Sequence, residues 1–377
     1  MKTYKLKDIL AIKTGKAPKN KKQGNIPVYS SGGIISFTDD YIVKSTSILL
    51  PRVGTLDSIF YVNSKTWVTD NMYHSKIFNN EIDPKYLYYY LKSIDFSSKH
   101  SKTSQPKMTI NDYYDITLLI PDKSIQTKIR ILLDVIESKI EVNNKINDNL
   151  EKQMKLIYKY WFDDFNFIDK SKKPYKANGG AMIWNEELKK EIPKGWTIKT
   201  LSELLVKNKD KFDFSSILPT IDLSVMVPNK MTISQHNWSS EFSSNLFKME
   251  QGDILFGSIR PYLHKAGFAP FDGVVAGTVH SFKPINNNYY NFSLITICRD
   301  VFFDYAVQMS YGTRMPVVND VALLNYKIPY NEDVIKDFNK INILKIMSKL
   351  INENIKLINL KNQLLPLLMN GQVTIED

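Results

Sequence analysis

Residues 104–121 read SQPKMTINDYYDITLLIP, and residues 312–329 read GTRMPVVNDVALLNYKIP. Laid over one another at an offset of 208, Asn111 falls on Asn319, Asp112 on Asp320, Ile120 on Ile328 and Pro121 on Pro329. Each stretch has a polar entry, an Asn-Asp pair, an apolar run and a closing Ile-Pro. An apolar run ending at a proline reads as a short strand. The same signal occurring twice predicts a duplicated domain.

The duplication extends outward from this pair. LKDIL (6–10) is echoed by LSELL (201–205), and TSILLPR, ending at Arg52, by GDILFGSIR, ending at Arg260. VTDNMYHSKI resembles VAGTVHSFKP and sets His74 against His280. The likeness is weak through the middle of each half and firm at the edges, as expected of two related domains with divergent loops.

A helical pattern follows each Ile-Pro. Steps of four and three from Ile129 visit Leu133, Ile136, Ile140, Asn143, Asn147, Leu150, Met154, Ile157 and Trp161, and only the two Asn are polar. The second pattern visits Ile343, Ile346, Leu350, Glu353, Leu357, Leu360, Leu364 and Leu367, with Glu353 its one polar position. Both are heptad seams, and a buried Asn in such a seam fixes register at some cost in stability. A first helix running from Ile125 to Trp161 would be about 55 Å long. Packed antiparallel, the two helices would bring Asn143 or Asn147 to Glu353 and set the two domains at opposite ends of the pair.

The expected fold is α+β: two repeated α/β domains (residues 1–122 and 193–330) separated by two long antiparallel helices (123–162 and 331–377) that form a coiled coil, with approximate two-fold symmetry. Residues 163–192, rich in Lys, Gly and Pro without a clear period, read as a connector.

The chain has 50 Lys and Arg against 39 Asp and Glu, a formal charge of +11. That balance suits a partner such as nucleic acid. With 43% apolar and 12% aromatic residues, the sequence can build cores. Its single cysteine, Cys298 in SLITIC, reads as a small buried hydrophobe. No apolar run approaches the roughly 18 residues of a membrane span. The N-terminus interrupts its apolar residues with Lys and Asp, unlike a signal peptide. A cytoplasmic protein with no membrane partner is expected.

Catalytic patterns are missing. There is no phosphate loop ending GKS or GKT, no GxGxxG after a strand, no HExxH, no Cys-rich metal spacing, and no Asn-Pro-Pro-aromatic or Asp-Pro-Pro methyltransferase string. Asp134 followed by Glu137-Ser138-Lys139 mimics a nuclease string, but it lies on the exposed side of the first seam and reads as solvated helix charge. No catalytic, cofactor or metal residue is assigned.

The remaining chemistry suits DNA. Arginine occurs five times, at 52, 130, 260, 299 and 314, and Arg52, Arg260 and Arg314 fall in matching segments of the repeat. Arginine reads guanine bidentately, whereas lysine mostly neutralises phosphate. Loop position and side-chain type nominate Ser30, Ser31, Arg52, Tyr73, His74, Lys102, Ser104, Gln105 and Lys107 in the first half. They nominate Arg260, Tyr262, His264, Lys265, His280, Tyr311 and Arg314 in the second.

IPVYSSGGIISFTDDY (26–41), ILLPRVGT, VTDN, QPKMTIND and above all KPYKANGGAMIWNEELKKEIPKGW resemble the DNA specificity subunit of type I restriction–modification systems, along essentially the whole chain. The resemblance implies two target recognition domains, each reading one half of a split, asymmetric site in double-stranded DNA. It implies helices that set the gap and dock two methyltransferase subunits. Those partners would carry S-adenosylmethionine, and a separate restriction and translocase subunit would carry ATP, so this chain needs no cofactor of its own. The second half departs from the pattern, lacking the SSGG string and carrying Arg314 where the first has Gln-Pro-Lys. Two other readings stay open: the recognition half of a fused restriction–methylation enzyme, and a noncatalytic coiled-coil adaptor with no DNA role.

Overall fold

The computed structural model describes residues 1–17, 24–54, 56–96, 106–243 and 245–375. The chain folds as two units, residues 1–138 with 358–377, and residues 139–357.

In the first unit the strands are β1 (Lys2–Lys5), β2 (Leu10–Thr14), β3 (Ile26–Ser30), β4 (Gly33–Thr38), β5 (Ser47–Pro51), β6 (Phe60–Val62), β7 (Trp67–Val68) and β8 (Met72–Ile77). Helix α1 (Pro84–Lys92), the short α2 (Ile110–Tyr114), β9 (Thr117–Ile120) and the long α3 (Lys123–Tyr158) follow. Asp83 caps α1 by accepting from the amides of Lys85 and Tyr86, with Pro84 at the first helical position. Thr109 and Asp112 form a capping box on α2.

β5, buried throughout, is a central strand of the sheet ordered β2-β8-β5-β6, and β4-β3-β7 makes a second sheet. β1 pairs antiparallel with β9, Lys2 opposite Ile120. The core gathers Leu10, Ile48, Tyr86, Tyr89, Tyr113 and Leu118 with Ile129 and Leu133 of α3.

The second unit repeats this plan. Its strands are β10 (Met182–Asn185), β11 (Lys190–Pro193), β12 (Thr197–Thr200), β13 (Leu205–Lys207), β14 (Pro219–Ile221), β15 (Asn237–Trp238), β16 (Leu246–Met249), β17 (Ile254–Gly257), β18 (Ala266–Phe268), β19 (Gly273–Ala276), β20 (Val279–Pro284) and β21 (Lys327–Tyr330). Its helices are α4 (Tyr290–Ile297), α5 (Asp300–Gln308), α6 (Asp320–Leu324), α7 (Glu332–Asn339) and the first part of α8 (Ile343–Met369), whose residues from 358 on belong to the first unit.

The order β13-β20-β17-β18 matches β2-β8-β5-β6, and β12 pairs with β21 as β1 does with β9. The parallel pair β14–β19 matches the parallel pair β3–β7. Sheet order and strand direction thus reproduce the duplication read from the Ile-Pro motifs.

Residues 163–192 are more structured than their composition suggests. β10 and β11 form a hairpin there. Phe167 stacks on Tyr175 at 4.9 Å, and Phe165 and Phe167 pack against Trp196. The segment lacks periodicity because its aromatic residues, rather than a repeating face, tie it to the core.

The C-terminal helical region, expected as one element from 331, is two. Asn291, buried, donates its side-chain amide to the Ile341 carbonyl at 2.9 Å and lies within 3.4 Å of the Phe338 and Asn339 carbonyls. It thereby satisfies the carbonyls that end α7, and the chain restarts as α8.

The seam of α3 lies where its period places it: Ile129, Leu133, Ile136, Asn143, Asn147 and Met154 are buried, with Ile140, Leu150 and Ile157 half-buried. The seam of α8 is displaced by one residue. Leu344, Met347, Ile351, Asn354, Leu365 and Leu368 are buried, while Ile346, Leu360 and Leu367 are exposed and Ile343, Leu350, Glu353, Leu357 and Leu364 are intermediate. Nearly every expected position is followed by another apolar residue, so apolarity alone does not set the phase. The polar layer sets it: Asn143 donates to Asn354 at 2.9 Å and to Glu353, at the rim, at 2.8 Å. Within each unit the two helices run antiparallel, Met154 sharing a core with Leu344 in the second and Glu137 meeting Lys361 in the first.

Candidate nucleic-acid interface

In each unit the strand that ends in arginine is stitched to the segment before the Ile-Pro motif. In the first, Met108 donates its amide to the Arg52 carbonyl at 3.0 Å, Gly54 donates to Pro106 at 3.1 Å, and Val53 bridges to Lys107. Tyr113 Oη donates to the Pro51 carbonyl at 2.7 Å and Tyr73 Oη to Met108 at 3.1 Å, which fixes the seam from beneath. Gly54 sits at φ +90°, and a Cβ there would press on Ser31 at the β3–β4 turn. Ser31, Arg52 and Lys107 are therefore neighbours on one rim. Arg52 is half-buried and spends one guanidinium nitrogen on the Asp70 carbonyl at 3.1 Å.

In the second unit, Arg260 donates its amide to Pro316 at 2.7 Å, Ile259 bridges to Val317, and Val318 donates to Ser258 at 3.0 Å. Tyr311 and Val317 exchange two amide bonds of 2.9 Å. Arg260 and His264 both adopt φ of 51° around the turn Pro261–Leu263. A non-glycine residue there costs about 1 kcal/mol, which the surrounding bonds offset. The outcome is an exposed group of Arg260, Tyr262, Leu263, Tyr311, Arg314 and Met315. Neither arginine enters an ion pair among the described residues. By contrast, Arg130 pairs with Asp83 and Asp134, and Arg299 with Asp163.

Several nominated residues are already engaged within the fold. Tyr73 is buried on Met108. His280 is buried with Nε2 3.0 Å from the Val318 carbonyl, and burial holds its pKa below the ordinary histidine range. His264 lies 3.1 Å from Asp300 and stacks on Phe303, and Lys265 donates to the Leu223 carbonyl at 2.6 Å. Each of these four already has a partner within the fold. Ser30 is half-buried in β3, and His74 is half-buried in β8. Lys102, Ser104 and Gln105 lie outside the described residues. Sequence reading missed Leu263 and Met315. Their signal was available: each is a large apolar residue in a loop beside Tyr262 or Arg314.

The nuclease-like string is a structural network. Tyr89 Oη lies 2.8 Å from Asp134 and 2.9 Å from Glu137, Lys85 and Arg130 pair with Asp134, and Lys361 with Glu137. In the second unit Lys139 lies 3.5 Å from Glu353. Among the described residues no group of three or more His, Cys, Asp or Glu could hold a metal ion. Cys298 is buried, which pushes its thiol pKa up. No described helix is long and apolar enough to cross a membrane.

Residues 1–152 match the family model of the type I restriction modification DNA specificity domain. The chain is 23% identical to the type I restriction enzyme MjaIX specificity subunit of Methanocaldococcus jannaschii, over 99% of this chain and 93% of that one. It is 32% identical to a Mycoplasma pneumoniae protein assigned as the N-terminal part of a type I specificity subunit, over 36% of this chain and 76% of that one. The fold is similar to that of the crystal structure of the type I restriction–modification S subunit from M. genitalium, with a TM-score of 0.56 at 14% identity, covering 100% and 96% of the two chains. With duplicated sheets, paired arginine loops and these relatives in agreement, the chain belongs to the DNA specificity subunits of type I restriction–modification systems, the noncatalytic component of those enzymes.

Proposed function

We propose that each unit reads one half of a bipartite, asymmetric DNA site through its arginine loop, and that α3 and α8 set the gap and dock two methyltransferase subunits. Those subunits carry S-adenosylmethionine, and a restriction and translocase subunit carrying ATP joins through the complex in the cytoplasm. The observation that carries the reading is the exposed group in the second unit. Arg260 is held at a strained φ of 51° and bonded to the loop that carries Arg314, and among the described residues neither arginine pairs with a carboxylate. Arginine presented this way suits guanine edges or phosphate, and the flanking Tyr262 and Tyr311 add aromatic surface. The different makeup of the first rim, with Ser31, Arg52 and Lys107, suits a different half-site. Docking is supported by apolar side chains left exposed on α3: Ile131 and Val135 in the first unit, Val142 and Ile146 in the second.

The test is co-expression with the cognate methyltransferase subunit and mapping of adenine methylation across a plasmid library. A two-part motif with a fixed gap supports the reading. A complex that forms without methylating anything removes the recognition role, and failure to form a complex removes the docking role. An adaptor with no DNA role would also lack the steep fall of affinity with salt that phosphate contacts impose.

A further inference from the structure

Pairing of β2 with β8 sets Lys13 opposite His74 and Ala11 opposite Lys76. Strand alternation places these four on the face opposite buried Leu10 and Ile12. The segment 42–46 walls the same face and adds Lys44, closing a cavity of about 390 Å3 in the first unit. Lys13, Lys44, Lys76 and His74 line it with the hydroxyls of Ser45 and Thr46, and among the described residues no carboxylate does. None of the three lysines enters an ion pair among the described residues. Lys13 and Lys76 are diagonal neighbours across the two strands, and like charges so placed are unfavourable. The second unit shows the usual remedy: Lys283, at the register position of Lys76, is neutralised by Glu250 at 2.6 Å. Among the described residues of the first unit, no carboxylate pairs with Lys76. Burial, then Lys13 and Lys16, hold the His74 pKa below its ordinary range, and no acid opposes them.

We propose that this cavity holds a phosphate of the DNA backbone, gripped by Lys13, Lys44, Lys76 and His74. The inference rests on the first unit facing DNA. Lysine heads on flexible stems neutralise a phosphate without reading bases, so the cavity supplies affinity and register, not sequence choice. Binding also takes up a proton. Among the described residues, the charged groups around His74 are Lys13 and Lys16 beyond β2, Lys44 on the wall and Lys76 on β8, all cationic; a phosphate among them favours the imidazolium.

The test uses the full chain in its methyltransferase complex, with duplex affinity measured from low to high salt. In Lys13→Gln, Lys44→Gln, Lys76→Gln and the triple variant, affinity for cognate and unrelated duplexes falls together, about tenfold in the triple. The slope of log affinity against log salt shrinks by about one, and the methylated motif stays unchanged. In His74→Gln, the strengthening of affinity at lower pH diminishes. A triple variant with wild-type affinity and slope overturns the proposal. So does an NMR titration in which inorganic phosphate shifts the His74 ring signals and cognate DNA fails to displace it, which would assign the cavity to a free phosphate compound. A wild-type complex that methylates no bipartite motif sinks the recognition reading itself; a methylating complex indifferent to the lysines sinks only the phosphate site.

Discussion

Asn143 donates its side-chain amide to Asn354 at 2.9 Å, and Asn354 passes its own amide to Asn144 at 2.9 Å. Asn143 and Asn354 are both buried in a seam that is otherwise mostly aliphatic. Such a layer stabilises little by itself, because the amides must leave water, but it penalises every register that separates the partners. Asn354→Ala removes one of the two acceptors of the Asn143 amide, leaving Glu353 alone, and is expected to lower stability by about 2 kcal/mol. The double replacement Asn143→Leu with Asn354→Leu is expected to be neutral or stabilising. Denaturant midpoints decide between these outcomes. A single variant as stable as the parent would show that the layer is not keyed by this bond.

The same layer explains what was legible in the sequence. The duplication was readable because each copy ends on the same motif, and the α3 seam because its apolar positions stand alone among polar ones. In α8 the apolar residues come in doublets such as Ile343-Leu344, Leu350-Ile351 and Leu364-Leu365. Two adjacent stripes are then equally apolar, and only the partner's Asn143 selects one. Arg260 and Arg314 stood out because arginine is rare here. The Lys13, Lys44 and Lys76 cavity did not, since strand pairing over some sixty residues of sequence assembles it. His280 reads like a loop ligand by its type, yet a distant carbonyl at Val318 captures it.

The break between α7 and α8 depends on Asn291. Its side chain serves the carbonyls of Phe338 and Asn339 at the end of α7 and of Ile341 in the link to α8. Asn291→Ala removes the side-chain donor to the Asn339 and Ile341 carbonyls and leaves Phe338 only the Ile341 amide, at a cost of about 1–3 kcal/mol to the second unit. Chemical denaturation of the purified chain measures this, with Asn288→Ala, half-buried on the turn before α4, as a control. A loss no larger than the control's would mean that the break is set by something other than this cap.

Acid should weaken the fold through two histidines. Burial lowers the folded-state pKa of both His280 and His74 relative to the unfolded chain, and Lys13 and Lys16 lower His74 further. The unfolded state therefore binds more protons, and stability rises with pH across that window. The contribution is complete above the unfolded value of about 6.5 and is lost progressively as pH falls below it. His280→Gln retains a donor for Val318 while removing the titration, so its melting temperature should decline less than the parent's between pH 7 and pH 5. His74→Gln should act in the same sense, independently. Parallel melting curves for parent and His280→Gln would exclude His280 as a source of the acid sensitivity.

Arg260 and Arg314 provide the sharpest separation between the units. If they contact base edges, Arg260→Ala and Arg314→Ala should weaken cognate binding by about 5- to 100-fold and relax specificity within one half of the methylated motif only. If they contact phosphate, both variants should weaken cognate and unrelated duplexes alike, with a shallower salt slope and an unchanged motif. Replacement by lysine distinguishes the two cases again: an ammonium keeps most of a phosphate contact but cannot reproduce the two-pronged geometry guanine requires. Methylation mapping and salt titration on the same four variants supply both readouts. Variants that alter neither affinity nor motif would show that the exposed group in the second unit faces away from the DNA, and the interface would then have to be sought on another surface of that unit.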